Sequence, residues 1–315
     1  MKVLVAGASG AIGTPLTRRL IARGHEVLGL VRDPAGADPL AALGATPVVA
    51  NALDRDELLR AVHGFTADAV VHELTALRTP PRAFSGMVPT NRLRVEGTAN
   101  LLAAADALGA RRFVTQSIIL GYGYFDHGPE ILTEAAPFGG SAGTRSDAVV
   151  AAIRATEEQT FSAPEGIAVR YGLFYGGDAA SQRALLVRRR IPVAAGGLLG
   201  WVHHDDAAAA TVAALERGRA GEAYNVVDDR PASWREVYTA MAEAFAAPPP
   251  RHVPGWLFRL VAPYVASFAV DTSMRVSNAK ARAELEWVPR FSSYVEGLDA
   301  TIHTIPHREA ITRRF

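Results

Sequence analysis

A chain of 315 residues fits one large domain, or one domain carrying a smaller lobe. With 49% hydrophobic and 21% charged residues it is not a disordered chain, and 33 basic residues against 32 acidic ones exclude a whole-protein basic field for nucleic acid. It contains no cysteine, so disulfides, thiolate nucleophiles and cysteine-based metal sites are excluded.

The first strand, Val3–Ala6, runs straight into glycines, which breaks any signal-peptide core. Four further short apolar runs follow: Glu26–Val31, Pro47–Ala50, Ala69–His72 and Phe113–Thr115. Each has the length and Val/Leu/Ala content of a buried parallel strand. Helical patterns at Pro15–Ala22, Arg55–Val62 and Arg94–Leu108 lie between them. Asp54 is the expected N-cap of the second, with Glu57 as its capping-box partner. This alternation predicts βαβ units with right-handed crossovers. A helix over Asp147–Thr160 and a strand over Ile167–Arg170 continue the pattern.

After Tyr171 come glycine-punctuated loops, the basic run Arg188–Arg190, helices at Asp205–Glu216 and Trp234–Phe245, and the spacer Pro248–Pro250. The apolar stretch Trp256–Val270 is broken by Arg259 and Pro263 and falls short of the ~20 residues that span a bilayer. The predicted architecture is an α/β Rossmann-type doubly wound parallel sheet over residues 1–170. Residues 171–315 would supply the last core strands and a smaller, mostly helical substrate lobe. A cytoplasmic protein is expected, with no nucleic-acid or membrane partner and no metal. The adjacent His203 and His204 lack carboxylates at ligand spacing.

The strongest local signal is Gly7-Ala8-Ser9-Gly10-Ala11-Ile12-Gly13, between the first strand and the first helix. Gly7 permits the tight turn, Gly10 lets a pyrophosphate approach the backbone, and Gly13 lets the helix pack closely on the sheet. The helix N-terminus then offers free N–H groups and a positive dipole end. Gly7, Ser9, Gly10, Ile12 and Gly13 are therefore candidate cofactor-binding residues. At the tip of the second strand stands Arg32, whose guanidinium suits a 2′-phosphate, which favours NADP(H). NAD is the alternative, if Asp33 reaches back to the ribose.

The G-x-x-G-x-x-G spacing resembles that of the extended short-chain dehydrogenase/reductase family, which includes nucleotide-sugar epimerases and dehydratases. Other segments agree in order: Asp68–His72, Arg94-Val95-Glu96-Gly97-Thr98-Ala99-Asn100-Leu101-Leu102, Gly121-Tyr122-Gly123, Arg170–Gly176 and Val202–Asp206. The later landmarks Tyr224–Val226 and Ser277–Ala281 also match. The resemblance implies that Asn51 and Ala52 meet adenine and that Leu74 and Thr75 lie beside the cofactor. Arg94, Arg154 and Tyr171 complete the implied cofactor set.

It also implies a catalytic Tyr-x-x-x-Lys pair with a Ser or Thr, and this chain departs from that pattern. Its only lysines are Lys2 and Lys280, and neither follows a tyrosine by four. Aligning Glu158-Gln159 with the family's helix puts Val150 at the Tyr position and Arg154 at the Lys position. Ile118 fills the usual Ser position, and Arg94 replaces the family's Asn. The chain thus resembles an atypical branch, with Tyr124 as candidate proton donor, Ser117 orienting substrate, and Asp126–His127 in reserve. Tyr122 matches a structural family tyrosine, and His72 reads as a satisfied core histidine.

For the small-molecule substrate, Trp201, Trp256, Phe258, Tyr264 and Phe268 offer aromatic surface, which suits a hydrophobic metabolite. Arg183 and Arg188–Arg190 would instead grip a diphosphate. The Trp256–Val270 stretch reads equally as an ordinary buried helix or a homodimer contact. The expected function is an NADP(H)-dependent oxidoreductase acting on a carbonyl or alcohol by hydride transfer. Behind it stand a non-redox isomerase or lyase that retains the nucleotide, and a dinucleotide-sensing regulator.

Overall fold

A computed structural model describes residues 1–77 and 79–302; residues 303–315 of the expected lobe lie outside it. The strands in chain order are β1 Lys2–Ala6, β2 Glu26–Val31, β3 Thr46–Val49, β4 Ala69–His72, β5 Arg112–Ile118 and β6 Asp126–Leu132. They continue with β7 Glu165–Tyr171, β8 Leu173–Tyr175, β9 Trp201–His203, β10 Glu222–Val226 and β11 Ser273–Val276. Seven of them form one wholly parallel sheet in the order β10-β7-β5-β4-β1-β2-β3. The chain reverses direction across the sheet between β1 and β4, where Val3 pairs with Ala69 and Ala6 with His72. In an open parallel sheet, ligands bind beyond the strand ends at this switch point.

The helices are α1 Gly13–Ala22, α2 Ala37–Ala42, α3 Arg55–Val62, α4 Val88–Arg92, α5 Thr98–Leu108, α6 Asp147–Phe161 and α7 Ala179–Val187. After them come α8 His204–Arg217, α9 Trp234–Ala244, α10 Gly255–Val261, α11 Pro263–Ala269, α12 Ala279–Leu285 and α13 Tyr294–Ile302. Leu16 and Leu20 of α1, the alanine-rich face of α8, and Ala281 and Leu285 of α12 bury one face of the sheet. Leu58 and Val62 of α3 with Leu101, Ala104 and Leu108 of α5 bury the other. None of these helices is long and apolar enough to cross a membrane.

Capping follows local chemistry. The Asp54 carboxylate accepts the Glu57 N–H at 3.0 Å, whereas the Asp54 N–H goes to the Asn51 carbonyl, so the expected box is half made. A complete box forms at α9, where Ser233 and Glu236 cap each other reciprocally. The helix expected over Arg94–Leu108 starts earlier, at Val88, and its first four expected residues wind as a π turn. That turn, Leu93–Gly97, separates α4 from α5. The Trp256–Val270 stretch splits at Ala262, because Pro263 has no N–H to continue α10 and starts α11 instead. A third hydrophobic cluster joins α9 and α11 to Val149, Val150 and Ile153 of α6 and to the loop after β5. The parallel pairs β6–β11 and β8–β9 form two separate two-stranded sheets.

Candidate functional site

The glycine turn lies at the switch point. Gly7 has φ +90°, and a Cβ there would come within 2.8 Å of the Glu73 carbonyl, so the ends of β1 and β4 touch backbone to backbone. A Cβ on Gly13 would lie 2.0 Å from the Gly7 carbonyl oxygen. Its bareness thus lets α1 close on the turn itself rather than on the sheet. Gly10 differs from both, being exposed, and its nearest obstacle would be the Gly7 carbonyl at 3.1 Å. Ser9 is exposed beside it, and Ile12 is buried under the turn. No side chain caps α1; its Thr14 and Leu16 N–H groups bond the Gly10 and Ile12 carbonyls and Pro15 carries none, which leaves the Gly13 N–H at the helix start for an anion.

At the β2 tip Arg32 is exposed, with no hydrogen-bond or ion-pair partner among the described residues. The Asp33 carboxylate instead accepts the Ala35 N–H at 3.0 Å, capping the short turn Pro34–Gly36. The next strand ends are braced by Asn100 of the helix motif and by Gln116, which the sequence reading did not single out. Asn100 donates to the Ala52 carbonyl at 2.9 Å, and Asn51 accepts the Leu53 N–H at 3.1 Å. Gln116 donates to the Leu74 carbonyl at 2.6 Å, and Thr75 accepts the Leu77 N–H. His72, buried and bonded to Thr98 and the Leu74 N–H, is held neutral by burial at a pKa of about 4.

Three expected site residues are engaged elsewhere. Ser117 donates to Glu157 at 2.5 Å. Glu157 forms a buried ion pair with Arg170 at 2.7 Å, and Arg170 reaches Tyr122 at 3.0 Å. Ser117, expected to orient substrate, therefore belongs to a hydrogen-bonded network linking β5, α6 and β7. Arg154 packs its stem on Gly139, donates to that residue's carbonyl at 3.2 Å, and lies 3.5 Å from Glu158. The buried acid of α6 is Glu157, not Glu158, so registering the helix on it moves the Tyr and Lys positions to Val149 and Ile153. In either register the Tyr position is a buried valine. Tyr171, expected beside the cofactor, is buried at 1% exposure, with its phenol on Glu73 at 2.9 Å and on Thr211. Both partners sit on the α8 side of the switch point, away from open solvent. Glu73 is a further residue missed in the sequence. Desolvation raises its carboxyl pKa to about 8, and one of its oxygens has no partner.

Tyr124 stands at the junction of sheet and lobe. Its phenol lies 3.4 Å from that of Tyr264 on α11, and burial holds both well above or above the ordinary phenol pKa. Arg94, from the π turn, is electrostatically coupled to both phenols. His127 stacks on Phe125 at 4.0 Å, and burial lowers its pKa. Of the lobe aromatics, Trp201, Phe258, Tyr264 and Phe268 are buried. Trp256 is 67% exposed on α10 and lines no interior site. Arg183 donates to the Phe245 carbonyl, while Arg188–Arg190 are exposed after α7. No group of three His, Asp or Glu residues among the described residues could hold a metal.

Residues 3–227 match the NAD dependent epimerase/dehydratase family. A 3-diazoavenalumate denitrifying reductase from a Streptomyces species is 38% identical over 316 aligned positions, covering 95% of this chain and 99% of that protein. A 4-hydroxy-2-methyl-3-oxo-4-farnesyl-3,4-dihydroquinoline-1-oxide ketoreductase from Stigmatella aurantiaca is 26% identical over 95% of each chain. The dTDP-glucose 4,6-dehydratase of Streptomyces venezuelae, solved with NAD and TYD bound, superposes with a TM-score of 0.77 over 96% of each chain at 23% identity.

Proposed function

This chain belongs to the NAD dependent epimerase/dehydratase family, and on that premise we propose that it is an NADPH-dependent reductase that replaces the diazo group of an aryl acid with hydrogen. The residues at the switch point fit a dinucleotide. Gly10 and the uncapped start of α1 suit the pyrophosphate, and Asn51 and Ala52 lie at the adenine end. Arg32 is free to take a 2′-phosphate, while Asp33, which would select NAD, is occupied by its own turn. When bound, the reduced nicotinamide supplies a hydride.

One observation carries the choice of substrate. The face of α6 that meets the loop after β5 presents Val149, Val150 and Ile153, and the phenols nearby are pushed above their ordinary pKa by burial. Reduction of a ketone leaves an alkoxide that must receive a proton, which calls for a phenol brought down towards neutrality. Loss of a diazonium group makes no such demand. A C–H bond forms, the C–N bond breaks and dinitrogen leaves. The hydride brings both the hydrogen nucleus and the electron pair.

The test is incubation with NADPH and 3-diazo-4-hydroxycinnamate, following the reduced-nicotinamide absorbance and the dinitrogen released. Equimolar NADPH oxidation and dinitrogen release are expected. NADPH oxidation with ketones alone would establish the carbonyl reductase instead, and unoxidised NADPH throughout would point to an isomerase or lyase. The carbonyl reading is favoured by the ketoreductase relative and by the Tyr124 hydroxyl beside Tyr264. Tyr124→Phe discriminates: ketone turnover would fall about 10²–10⁴-fold if that phenol donates the proton. Diazo-acid turnover stays within a few-fold of wild type.

A further inference from the structure

We propose that Arg94 is the substrate's anion anchor: set beside the Tyr124 and Tyr264 phenols with no acidic partner among the described residues, its guanidinium binds the carboxylate of an aryl acid. This rests on the reductase reading for the acid class but not on the diazo chemistry.

The geometry begins with the backbone. Arg94 lies in the π turn, whose wider winding places an extra residue between α4 and α5, a device common at binding sites. The Arg94 carbonyl accepts from Thr98 at 2.6 Å and from Thr156 of α6 at 3.0 Å, so the root of the side chain is tied to two helices. The guanidinium at its end is poorly satisfied. Its one described side-chain bond goes to Asn91 at a long 3.4 Å. Arg170, by contrast, has the carboxylate of Glu157 on two of its nitrogens.

Burial lowers the Arg94 pKa, and the phenols of Tyr264 and Tyr124 act in the opposite direction. A guanidinium nonetheless keeps its charge in proteins. The other neighbouring titratable group, His72, is neutral and offers no counter-charge. Arg94 is half-buried and has no acidic partner among the described residues, and a bidentate carboxylate is the partner that its planar fork matches best. The surroundings suit the rest of an aryl acid. Tyr264 meets Phe84 at 5.4 Å and Phe268 at 5.5 Å, both edge to face, forming an aromatic wall. Phe84 comes from the segment after β4 and Phe268 from the lobe, so this wall spans both halves of the molecule.

The experiment uses NADP⁺-saturated protein and two unreactive probes, 4-hydroxycinnamate and its primary amide, with affinities read by calorimetry. Wild type is expected to bind the acid at least about tenfold more tightly than the amide, as a charge-assisted pair implies. Arg94→Gln should abolish that preference and Arg94→Lys should restore part of it, with NADPH affinity measured in both variants. Equal binding of acid and amide by wild type overturns the proposal, and this comparison stands even where a variant fails to fold. Loss of NADPH affinity in Arg94→Gln with the acid preference intact overturns it too, and assigns the cation to the cofactor. A protein that prefers the acid yet releases no dinitrogen would keep the anchor and refute only the diazo chemistry.

Discussion

Arg32 and Asp33 show how two adjacent side chains divide a task. The carboxylate is drawn into its own turn by the Ala35 N–H, and the guanidinium beside it is left with nothing to hold. Arg32→Ala should therefore weaken NADPH binding by about 1.5–3 kcal/mol, the scale of a charge-assisted hydrogen bond, and leave NADH nearly unchanged. Calorimetry with both dinucleotides checks this, and equal losses would remove Arg32 from the 2′-phosphate. The same local logic made Arg32 legible in the sequence, because a strand tip is defined by its neighbours along the chain. Ser117 and Arg154 were not legible in this way. What each does depends on Glu157 in one case and Gly139 in the other, and sequence position alone does not show which partner a hydroxyl or guanidinium will meet.

Among elements, the turn between β1 and α1 separates two kinds of glycine. Gly10 faces solvent and Gly13 faces the backbone of Gly7. Gly10→Val should abolish nucleotide binding while the melting temperature of the nucleotide-free protein stays near that of wild type. Gly13→Ala should lower the melting temperature as well, because its methyl would overlap the Gly7 carbonyl and α1 would have to move. Thermal melts of both variants with and without NADPH distinguish these outcomes, and two equally stable variants would contradict the packing role of Gly13. The interruption between α4 and α5 had no comparable signal. A π turn adds one residue without a proline or a break in polarity, so Arg94–Leu108 reads as one continuous helix.

At the scale of the whole molecule, two carboxyl groups are buried away from charge compensation. Glu73 sits under the glycine turn and Asp228 lies just past β10, each raised to about 8 by desolvation. In the unfolded chain Glu73 loses its proton near 4.5, whereas the native protein keeps it until about 8. The unfolded state therefore binds fewer protons across that window, and stability falls as pH rises through it. The loss from each such group is at most about 1.4 kcal/mol per pH unit. Glu73→Gln keeps an acceptor for Tyr171 and removes the titration. Denaturation at pH 5 and pH 8 should show a shallower decline in the variant than in wild type, with the variant the more stable at pH 8. An unchanged slope would mean that Glu73 ionises normally in the native protein.

The sequence by itself determined the parallel α/β core, the glycine turn and the charged strand tip. Each depends on spacing within a few residues: apolar runs of strand length, glycines three apart, an arginine directly after a strand. The tertiary structure alone decided which polar groups remain free for a ligand. Tyr171 meets Glu73 across 98 positions, Ser117 meets Glu157 across 40, and Tyr124 meets Tyr264 across 140. Arg94 became conspicuous by the opposite result, since among the described residues the fold brings it phenols and an amide but no acid. The physical reason is that a buried polar group is defined by its partner, and packing brings together partners that lie far apart along the chain.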